Sequence, residues 1–355
     1  MATASIADGA AEGRGIYRAL AWRRLLIIAA LTLALAISFT VDIAWGPARY
    51  ALGDVITAIV SPGSVSDKIR VVVWDIRMPM ALMAVITGAA LSLAGAQMQT
   101  ILANPLASPF TLGISAAASF GAALALVLGV SLVPFAGMFM VPLNAFAMAL
   151  VATLIIHFIS QMRGVTVQTV VLLGIALVFT FNALLAFLQY LATEQALQSV
   201  VFWTMGSLTK ATWEKIWITL VVLLLAIPLF ARHAWALTAI RLGEDKAASF
   251  GVNVRRIRLE TMFIVALLAA VPVSFVGTIG FVGLVGPHIA RMVVGEDQRF
   301  FLPTAILCGA LLLSVTSVVS KSILPGVVFP IGIITALVGV PFFFSLILSN
   351  VRRSW

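Results

Sequence analysis

The sequence has few charged residues, and this scarcity excludes most classes of soluble protein. Only 10% of its 355 residues are Asp, Glu, Lys or Arg, whereas 62% are hydrophobic. A soluble domain has about 25% charged residues and is about half apolar. Apolar runs of about 20 residues recur along the chain, which is the length that an α-helix needs to cross a bilayer. The composition therefore predicts an all-α polytopic membrane protein.

The sequence also lacks the residue patterns of several functional classes. The single cysteine, Cys308, excludes an internal disulfide. We find no phosphate-binding loop, no HExxH motif and no pairing of nucleophile and base, so we predict no catalytic residue, no metal site and no enzyme. The span interiors lack carboxylates, which ion-coupled carriers use. His157, His233 and His288 lie near helix ends, where a lone histidine is usually a bonded structural residue. Uphill transport would therefore need energy from another chain.

Ten spans account for the long apolar runs of the sequence. The predicted tail 1–24 precedes a single membrane domain, 25–350, and a short C-terminus, 351–355. The eighth span is too short to cross alone. The predicted spans are 25–42, 78–102, 112–130, 139–160, 167–192, 216–231, 260–278, 281–291, 303–321 and 331–350.

The net charge of +9 indicates topology rather than nucleic-acid binding, because basic residues concentrate in the cytoplasmic segments of membrane proteins. With a cytoplasmic N-terminus, these segments hold fifteen of the 22 Lys and Arg residues. We therefore predict a multi-pass membrane protein with both termini in the cytoplasm. The fifteen are Arg14, Arg18, Arg23, Arg24, Arg163, Arg232, Arg241, Lys246, Arg255, Arg256, Arg258, Arg291, Arg299, Arg352 and Arg353.

Small residues and helix breakers predict how the spans pack. A small residue every fourth position in the second span predicts close approach of another helix: Ala84, Gly88, Ser92 and Ala96. Two stretches, ANPLASPFTLG (103–113) and GTIGFVGLVGPH (277–288), are too rich in proline or glycine for regular helix. Irregular backbone at membrane depth is tolerated only inside protein or beside a water-filled cavity. These two stretches therefore indicate a transport path, with a purely structural kink as the alternative.

One charged island interrupts the apolar sequence. RLGEDKAASFGVNVRRIRLE (241–260) has eight charged residues in twenty positions. Glu244 and Asp245 suit a helix N-terminus, and Gly251 suits a helix end. We predict a short helix from Gly243 to Phe250, flanked by another around 233–241. The pair would be a docking device on the membrane face, within a cytoplasmic segment of about 232–258, and the alternative is a basic loop that sets topology.

Seven motifs occur in one order along the chain: RMP (77–79), GAALSLAGAQMQ (88–99), NPLASPFTLGIS (104–115), WTMGSL (203–208), LGEDKAASFGV (242–252), GTIGFVGLVGPHIAR (277–291) and PIGIITALVGVPFF (330–343). Together they resemble the permeases of ATP-binding cassette (ABC) importers for ferric siderophores, haem and vitamin B12, the FecCD or BtuC-type family, which implies a place in the bacterial cytoplasmic membrane. The resemblance implies the BtuC-like type II importer fold with about ten transmembrane helices. It also implies a dimer with a second permease copy or paralogue, two ATPase subunits that bind ATP and Mg²⁺, and a periplasmic or lipid-anchored substrate-binding protein. The chain itself would bind no cofactor.

The resemblance also implies roles for individual residues. The segment that contacts the ATPase would include Leu242, Gly243, Ala247, Phe250 and Gly251. The cytoplasmic gate would comprise Asn104, Leu106, Val165 and Thr166. The pathway would include Gly174, Asn182, Thr335 and Gly339. Docking of the binding protein would use Arg77 and Lys321.

The sequence departs from the family pattern on the predicted periplasmic side. Met80 replaces the second arginine of RxPR, and Val328 replaces the acid of PxExP. Ser317 and Lys321 replace the acid and the arginine of ADxxAR. These departures suggest weaker docking, a different acidic partner, or a heterodimer, and Arg77 could instead anchor its span at the interface. An iron–siderophore complex is the expected cargo, with haem, cobalamin or an oxyanion, and a secondary transporter, as alternatives.

Overall fold

A computed structural model describes residues 2–48, 50–132, 134, 137–162 and 164–351, and most of this part is α-helical. Within it, seven helical stretches are long and apolar enough to span a membrane, and α5, α12 and α14 are shorter apolar helices. Each predicted span coincides with one of these ten. The helices are α1 (Ala2–Ala44), α2 (Leu52–Val60), α3 (Asp67–Val71), α4 (Met78–Ile101), α5 (Ile114–Leu128), α6 (Met140–Ser160), α7 (Val167–Leu191), α8 (Glu194–Thr204), α9 (Trp213–Arg241), α10 (Glu244–Ser249), α11 (Val254–Val276), α12 (Val282–Val294), α13 (Gln298–Ser322) and α14 (Ile331–Val351).

The N-terminus differs from the predicted polar tail followed by a separate span. Helix α1 runs without a break from Ala2 to Ala44, so residues 2–24 continue the helix of the first span. Its apolar part begins at Arg18. The predicted C-terminal segment lies outside the described residues, apart from Val351.

Polar contacts between helix ends define one face of the helix bundle. Arg24 of α1 lies 3.8 Å from Asp297, which precedes α13. Arg291 of α12 donates to the side chain of Gln99, in the last turn of α4, at 3.0 Å. We call the face with these four residues the basic face. It also contains the loop between α9 and α11.

The other ends of the same helices meet at the opposite face. Arg77, just before α4, donates to the carbonyl of Ala44 at the end of α1 at 2.9 Å. Lys321 near the end of α13 lies 2.8 Å from the carboxylate of Asp42. Helices α1 and α13 therefore leave the basic face, and α4 returns to it. Helix α2 and the helical turn Val72–Arg77 lie at this opposite face.

Helix α4 forms the centre of the bundle, and its small residues explain why. A β-carbon on Gly88 would lie 2.3 Å from the backbone oxygen of Gly309 in α13, so the two helices meet backbone to backbone. The hydroxyl of Ser92 donates to the carbonyl of Ala305 at 2.6 Å. The predicted close approach along Ala84, Gly88, Ser92 and Ala96 is therefore confirmed.

The two predicted breaks are confirmed in part. Residues 102–113 form successive turns between α4 and α5. The second break covers only 277–281, and α12 begins at Val282. Gly283, Gly286 and Pro287 were therefore wrongly placed in irregular backbone, because they lie within α12. Gly283 is needed there for packing: its own β-carbon would lie 2.8 Å from the carbonyl oxygen of Leu91 in α4.

Candidate coupling surface and translocation pathway

The charged island forms a compact projection on the basic face. Helix α10 begins after Gly243, whose φ of 113° and ψ of 147° are accessible almost only to glycine. It ends at Ser249, and after Phe250 the chain passes through Gly251 in the left-handed region with φ of 81°. The predicted short helix is therefore confirmed. The predicted helix around 233–241 was wrong as a separate element, because it is the last part of α9, which runs unbroken from Trp213 to Arg241.

Burial divides this projection into an inner and an outer side. Ala247 is fully buried and packs with Ala239, Ile240 and Val252 in a small apolar cluster. This cluster attaches α10 to the last turn of α9 and to the start of α11. An ion pair between Glu244 and Arg258 joins α10 to α11 a second time.

The outer side of the projection exposes two large apolar residues. Leu242 is 59% exposed and Phe250 is 56% exposed, one on each side of α10. Both side chains are therefore available for contact with a partner protein. We call residues 242–251 the coupling segment.

The predicted gate residues lie in two loops. Asn104 forms a turn in which its side-chain oxygen accepts from the backbone N–H of Leu106 at 2.9 Å. Leu106 is 46% exposed. Ahead of α7, Val165 is partly buried against the main apolar core, and Thr166 caps the helix by accepting from the N–H of Thr169 at 3.3 Å. Their role as a gate stays a prediction.

A cavity of about 620 Å³ opens beside the second helix break. One side is formed by a stripe of α14 and the other by the 278–281 loop. Phe281 lines this cavity with a φ of 66°, which is a strained value for an aromatic residue. Its ring packs on Gly339, where a β-carbon would lie 2.3 Å from the ring. The lining side chains and backbone are mostly apolar: Phe110, Met205, Phe281, Ile333, Ala336, Leu337 and Val340.

The structure places the four predicted pathway residues in different environments. Thr335 and Gly339 are buried on the inner side of α14, and the cavity is lined by their neighbours Ala336 and Val340. Gly174 of α7 is also buried and faces the loop before α5, because a β-carbon there would lie 2.5 Å from the side chain of Leu112. Asn182 is exposed on the outer side of α7. These four residues therefore do not form one surface within the chain, and their pathway role stays a prediction.

Arg77 is only 3% exposed and its charge faces the interior of the chain. Its guanidinium donates to the carbonyls of Ile43 and Ala44 at the end of α1 and of Ala48 in the loop that follows, and lies 5.4 Å from the centre of the Tyr50 ring. Free carbonyls at a helix end attract a cation. Arg77 therefore ties the start of α4 to the end of α1, and its anchoring of a span at the membrane interface stays an alternative.

Lys321 is also 3% exposed. It donates to the Asp42 carboxylate at 2.8 Å, and Ser317 donates to the same carboxylate oxygen at 3.0 Å. The charged groups of Arg77 and Lys321 are both buried in this structure. Neither residue therefore supplies the exposed cation that the docking prediction requires. Sequence reasoning missed the buried Asp42, and the available signal was an acidic residue at the end of an apolar run.

A sequence profile of the FecCD transport family matches residues 33–349. The chain belongs to the FecCD transport family. It is 36% identical to an ABC transporter permease protein of Methanocaldococcus jannaschii, over 95% of this chain and 98% of that protein. It is 35% identical to the hemin transport system permease protein HmuU of Yersinia pestis, over 78% of this chain and 83% of that protein.

A solved metal-chelate type ABC transporter in an inward-facing conformation has a similar fold. The TM-score is 0.79 with 31% identity, and the alignment covers 91% of this chain and 99% of that chain. Other FecCD relatives are named as permeases for molybdate, Fe(3+)-citrate and vitamin B12, and one as an iron chelatin permease. The chain is therefore an ABC importer permease, a multi-pass membrane protein and a transport subunit rather than an enzyme.

The two acidic residues between α12 and α13, Glu296 and Asp297, pair with arginines of the basic face. Burial alone would raise the pKa of Asp297, but hydrogen bonds from Arg299 and the charges of Arg299 and Arg24 outweigh it, so this pKa lies below its ordinary value. Asp297 therefore stays ionised at neutral pH and keeps Arg24 paired. Its neighbour Glu296 contacts both Arg241 and Arg291. Sequence reasoning missed Glu296, whose only signal was an acidic pair in a short loop between two spans.

Proposed function

We propose that this permease translocates an iron–siderophore complex across the bacterial cytoplasmic membrane, driven by ATP hydrolysis on separate subunits. The observation that carries the coupling part of the proposal is the coupling segment, which exposes Leu242 and Phe250 on a well-packed support. The names of relatives include hemin, Fe(3+)-citrate and iron chelatin, and these support an iron chelate as cargo. Haem, cobalamin or an oxyanion such as molybdate is the alternative within the family.

The ATPase would bind the coupling segment through its two exposed apolar side chains. In this proposal the basic face is cytoplasmic, with both termini on that side, because cytoplasmic segments are enriched in Lys and Arg. ATP and Mg²⁺ would bind the partner ATPase, and this chain would hold no cofactor. Ala247 would contribute indirectly, because its burial fixes α10 to α9 and α11.

The cargo would pass between two copies of the permease or between this chain and a paralogue. The cavity next to α14 supports this proposal, because it opens on the outside of a single chain. Leu337 on its lining is 69% exposed, and Phe179 on the outer side of α7 is 71% exposed. A second copy or membrane lipid would cover these apolar side chains. In this proposal Ala336 and Val340 line the path, and Gly174, Thr335 and Gly339 position its walls.

The binding protein would dock on the opposite face, through exposed cations other than the predicted Arg77 and Lys321. Lys68 is exposed, and Arg70 keeps 49% of its side chain exposed although it pairs with Asp67 at 3.0 Å. A symmetric dimer would present this set twice, and two weak contacts made together bind much more tightly than one. Replacement of both Lys68 and Arg70 by glutamate should therefore weaken docking more than replacement of Arg77 by methionine does in a correctly folded protein.

Uptake measurements test the proposal and name the cargo. Cells with and without the gene are supplied with labelled ferric siderophores, haem, cobalamin and molybdate. We expect the deletion to abolish uptake of ferric siderophores alone. The wild-type chain should restore this uptake, whereas a variant with both Leu242→Asp and Phe250→Asp should insert normally and fail to restore it. A matched control, Met138→Asp, alters an 86%-exposed apolar residue of the opposite face and should restore it.

The outcomes separate the parts of the proposal. Loss of haem, cobalamin or molybdate uptake would reject the siderophore and retain the ATP-driven importer. Full uptake by the Leu242→Asp and Phe250→Asp variant would contradict the proposed ATPase contact. Transport by vesicles that contain the purified chain alone would favour a secondary transporter instead.

A further inference from the structure

Glu296 lies where three elements of the basic face meet. It occupies the short turn between α12 and α13, after Gly295, whose φ is 81°. Its carboxylate accepts from Arg241, the last residue of α9, with Nε 3.2 Å from Oε2 and a second contact from Nη2 to Oε1. The same Oε1 lies 3.2 Å from Nε of Arg291 in α12, which is an ion-pair contact and not a hydrogen bond. One carboxylate therefore holds two arginines, one of which directly precedes the coupling segment.

The contacts continue from Arg291 to the predicted gate loop. Nη2 of Arg291 donates to Oε1 of Gln99 at 3.0 Å, and Gln99 is fully buried in the last turn of α4. The backbone oxygen of Gln99 in turn accepts from the N–H of Asn104 at 3.2 Å. An unbroken series of polar contacts therefore runs from Arg241 through Glu296, Arg291 and Gln99 to Asn104. It joins the coupling segment to the loop at the end of α4.

The charges of this series make Glu296 its critical member. Without the carboxylate, two guanidinium groups would face each other, and the side chain of Arg291 is only 17% exposed. A buried charge without its partner is strongly unfavourable. Arg291 is also held against the ring of Phe301, at 5.4 Å from the ring centre, so it cannot easily turn away.

The surroundings of Glu296 also allow it to move. Its side chain is 46% exposed. It borders a cavity of about 600 Å³ that is also lined by Trp235, Arg241 and Leu242. At the far end of the series, Nε2 of the buried Gln99 has no hydrogen-bond partner among the described residues. An unsatisfied buried amide is unfavourable. A second conformation that gave this amide a hydrogen-bond partner would therefore be stabilised.

We propose that Glu296 is a positioning residue that transmits movement of the coupling segment to the gate loop through Arg291 and Gln99. This inference rests on the proposed coupling of the chain to an ATPase. When the segment moves, Arg241 carries Glu296 with it, and Arg291 then changes its hold on the end of α4. Glu296 touches neither cargo nor nucleotide in this mechanism.

The test uses the assembled transporter, purified through this chain with its ATPase subunits. The only cysteine of this chain, Cys308, is replaced by serine, and a single cysteine at position 106 or 250 carries a spin label. Because Leu106 belongs to the predicted gate and Phe250 to the proposed ATPase contact, each labelled background is used only where it keeps ATP-driven uptake. In the wild-type background, addition of ATP with vanadate should change the spectra of both labels. In Glu296→Gln, the label at 250 should still respond and the label at 106 should not. Transport per ATP hydrolysed should fall about 5- to 150-fold, the usual range of coupling between sites.

Two further variants exclude a purely structural effect. Glu296→Asp keeps the charge on a shorter side chain and should recover part of both the response at 106 and the transport. Glu260→Gln removes another carboxylate of the same face, which pairs with Arg256 at 2.7 Å outside the series, and should leave both unchanged. Because these variants share one background, a general loss of stability would affect the label at 250 as well.

The result also separates this inference from the proposed function. If the label at 250 does not respond in the wild-type background, the coupling to an ATPase fails. If it responds there and the label at 106 still responds in Glu296→Gln, or if that variant transports normally, only the role of Glu296 is overturned.

Discussion

Replacement of Lys321 by methionine would leave the carboxylate of Asp42 buried without its cation, and we expect this change to cost about 3–5 kcal/mol of stability. The two side chains are 1% and 0% exposed, with 2.8 Å between Nζ and Oδ1. Charges about 4 Å apart attract by about 4 kcal/mol at an effective dielectric constant of about 20. Ser317 is the other side chain that donates to this carboxylate, and one hydroxyl offsets little of that loss.

The free energy of unfolding in detergent, titrated with a denaturant, measures this effect. The double variant Asp42→Asn with Lys321→Met removes both charges, and it should recover most of the loss because a neutral pair needs no counter-charge. Arg70→Met is the matched control, since its pair with Asp67 is exposed and such pairs contribute about 0–1 kcal/mol. We also expect the double variant to transport normally, because the pair anchors α1 to α13.

Two results would refute this reasoning. A loss below about 1 kcal/mol in Lys321→Met would mean that the pair is as weak as an exposed one. A folded double variant that no longer transports would show that Lys321 or Asp42 acts in transport itself, as the docking prediction requires of Lys321.

Three other predictions concern packing, the coupling segment and the cavity. Gly95→Ala would place a β-carbon 1.7 Å from a backbone oxygen of α12, so the free energy of unfolding in the same titration should fall by about 1–3 kcal/mol or more. Gly53→Ala is the control and should not lower it, because Gly53 has open space around it. Gly243→Ala should strain the coupling segment by about 1–3 kcal/mol. Uptake should therefore fall while the melting temperature of the bundle stays unchanged, and normal uptake would contradict this prediction. Ala336→Trp should fill the cavity and block uptake, and Val338→Trp, which is 48% exposed on α14 outside the cavity, should not.

The sequence was sufficient for the features that depend on local chemistry. Apolar runs predicted the ten helices, and the small residues of α4 predicted its close contact with another helix. Glu244 and Asp245 predicted the start of α10 and Gly251 its end, because acidic residues favour a helix N-terminus and glycine favours the turn after a helix. The position of Pro105 and Pro109 predicted the break after α4. In each case residues near in sequence determine the structure.

The features that the sequence did not predict depend on residues far apart in the chain. Asp42 and Lys321 are 279 positions apart, and only the packing of α1 against α13 brings them together. For the same reason Arg77 could not be recognised as a cap for the end of α1. On α14, periodicity could not decide whether Thr335 or Ala336 faces the cavity, because the contact with Phe281 determines the rotation of the helix.

The contact between the coupling segment and an ATPase is the central claim, and site-specific photo-crosslinking tests it most directly. The photoreactive analogue p-benzoylphenylalanine replaces Phe250 in cells, and products are identified by mass spectrometry after ultraviolet exposure. We predict one main product, an ATP-binding subunit with a phosphate-binding loop, and none of it when Met138 is replaced instead. Active uptake by the Phe250 variant without any crosslink to an ATP-binding subunit would contradict the claim.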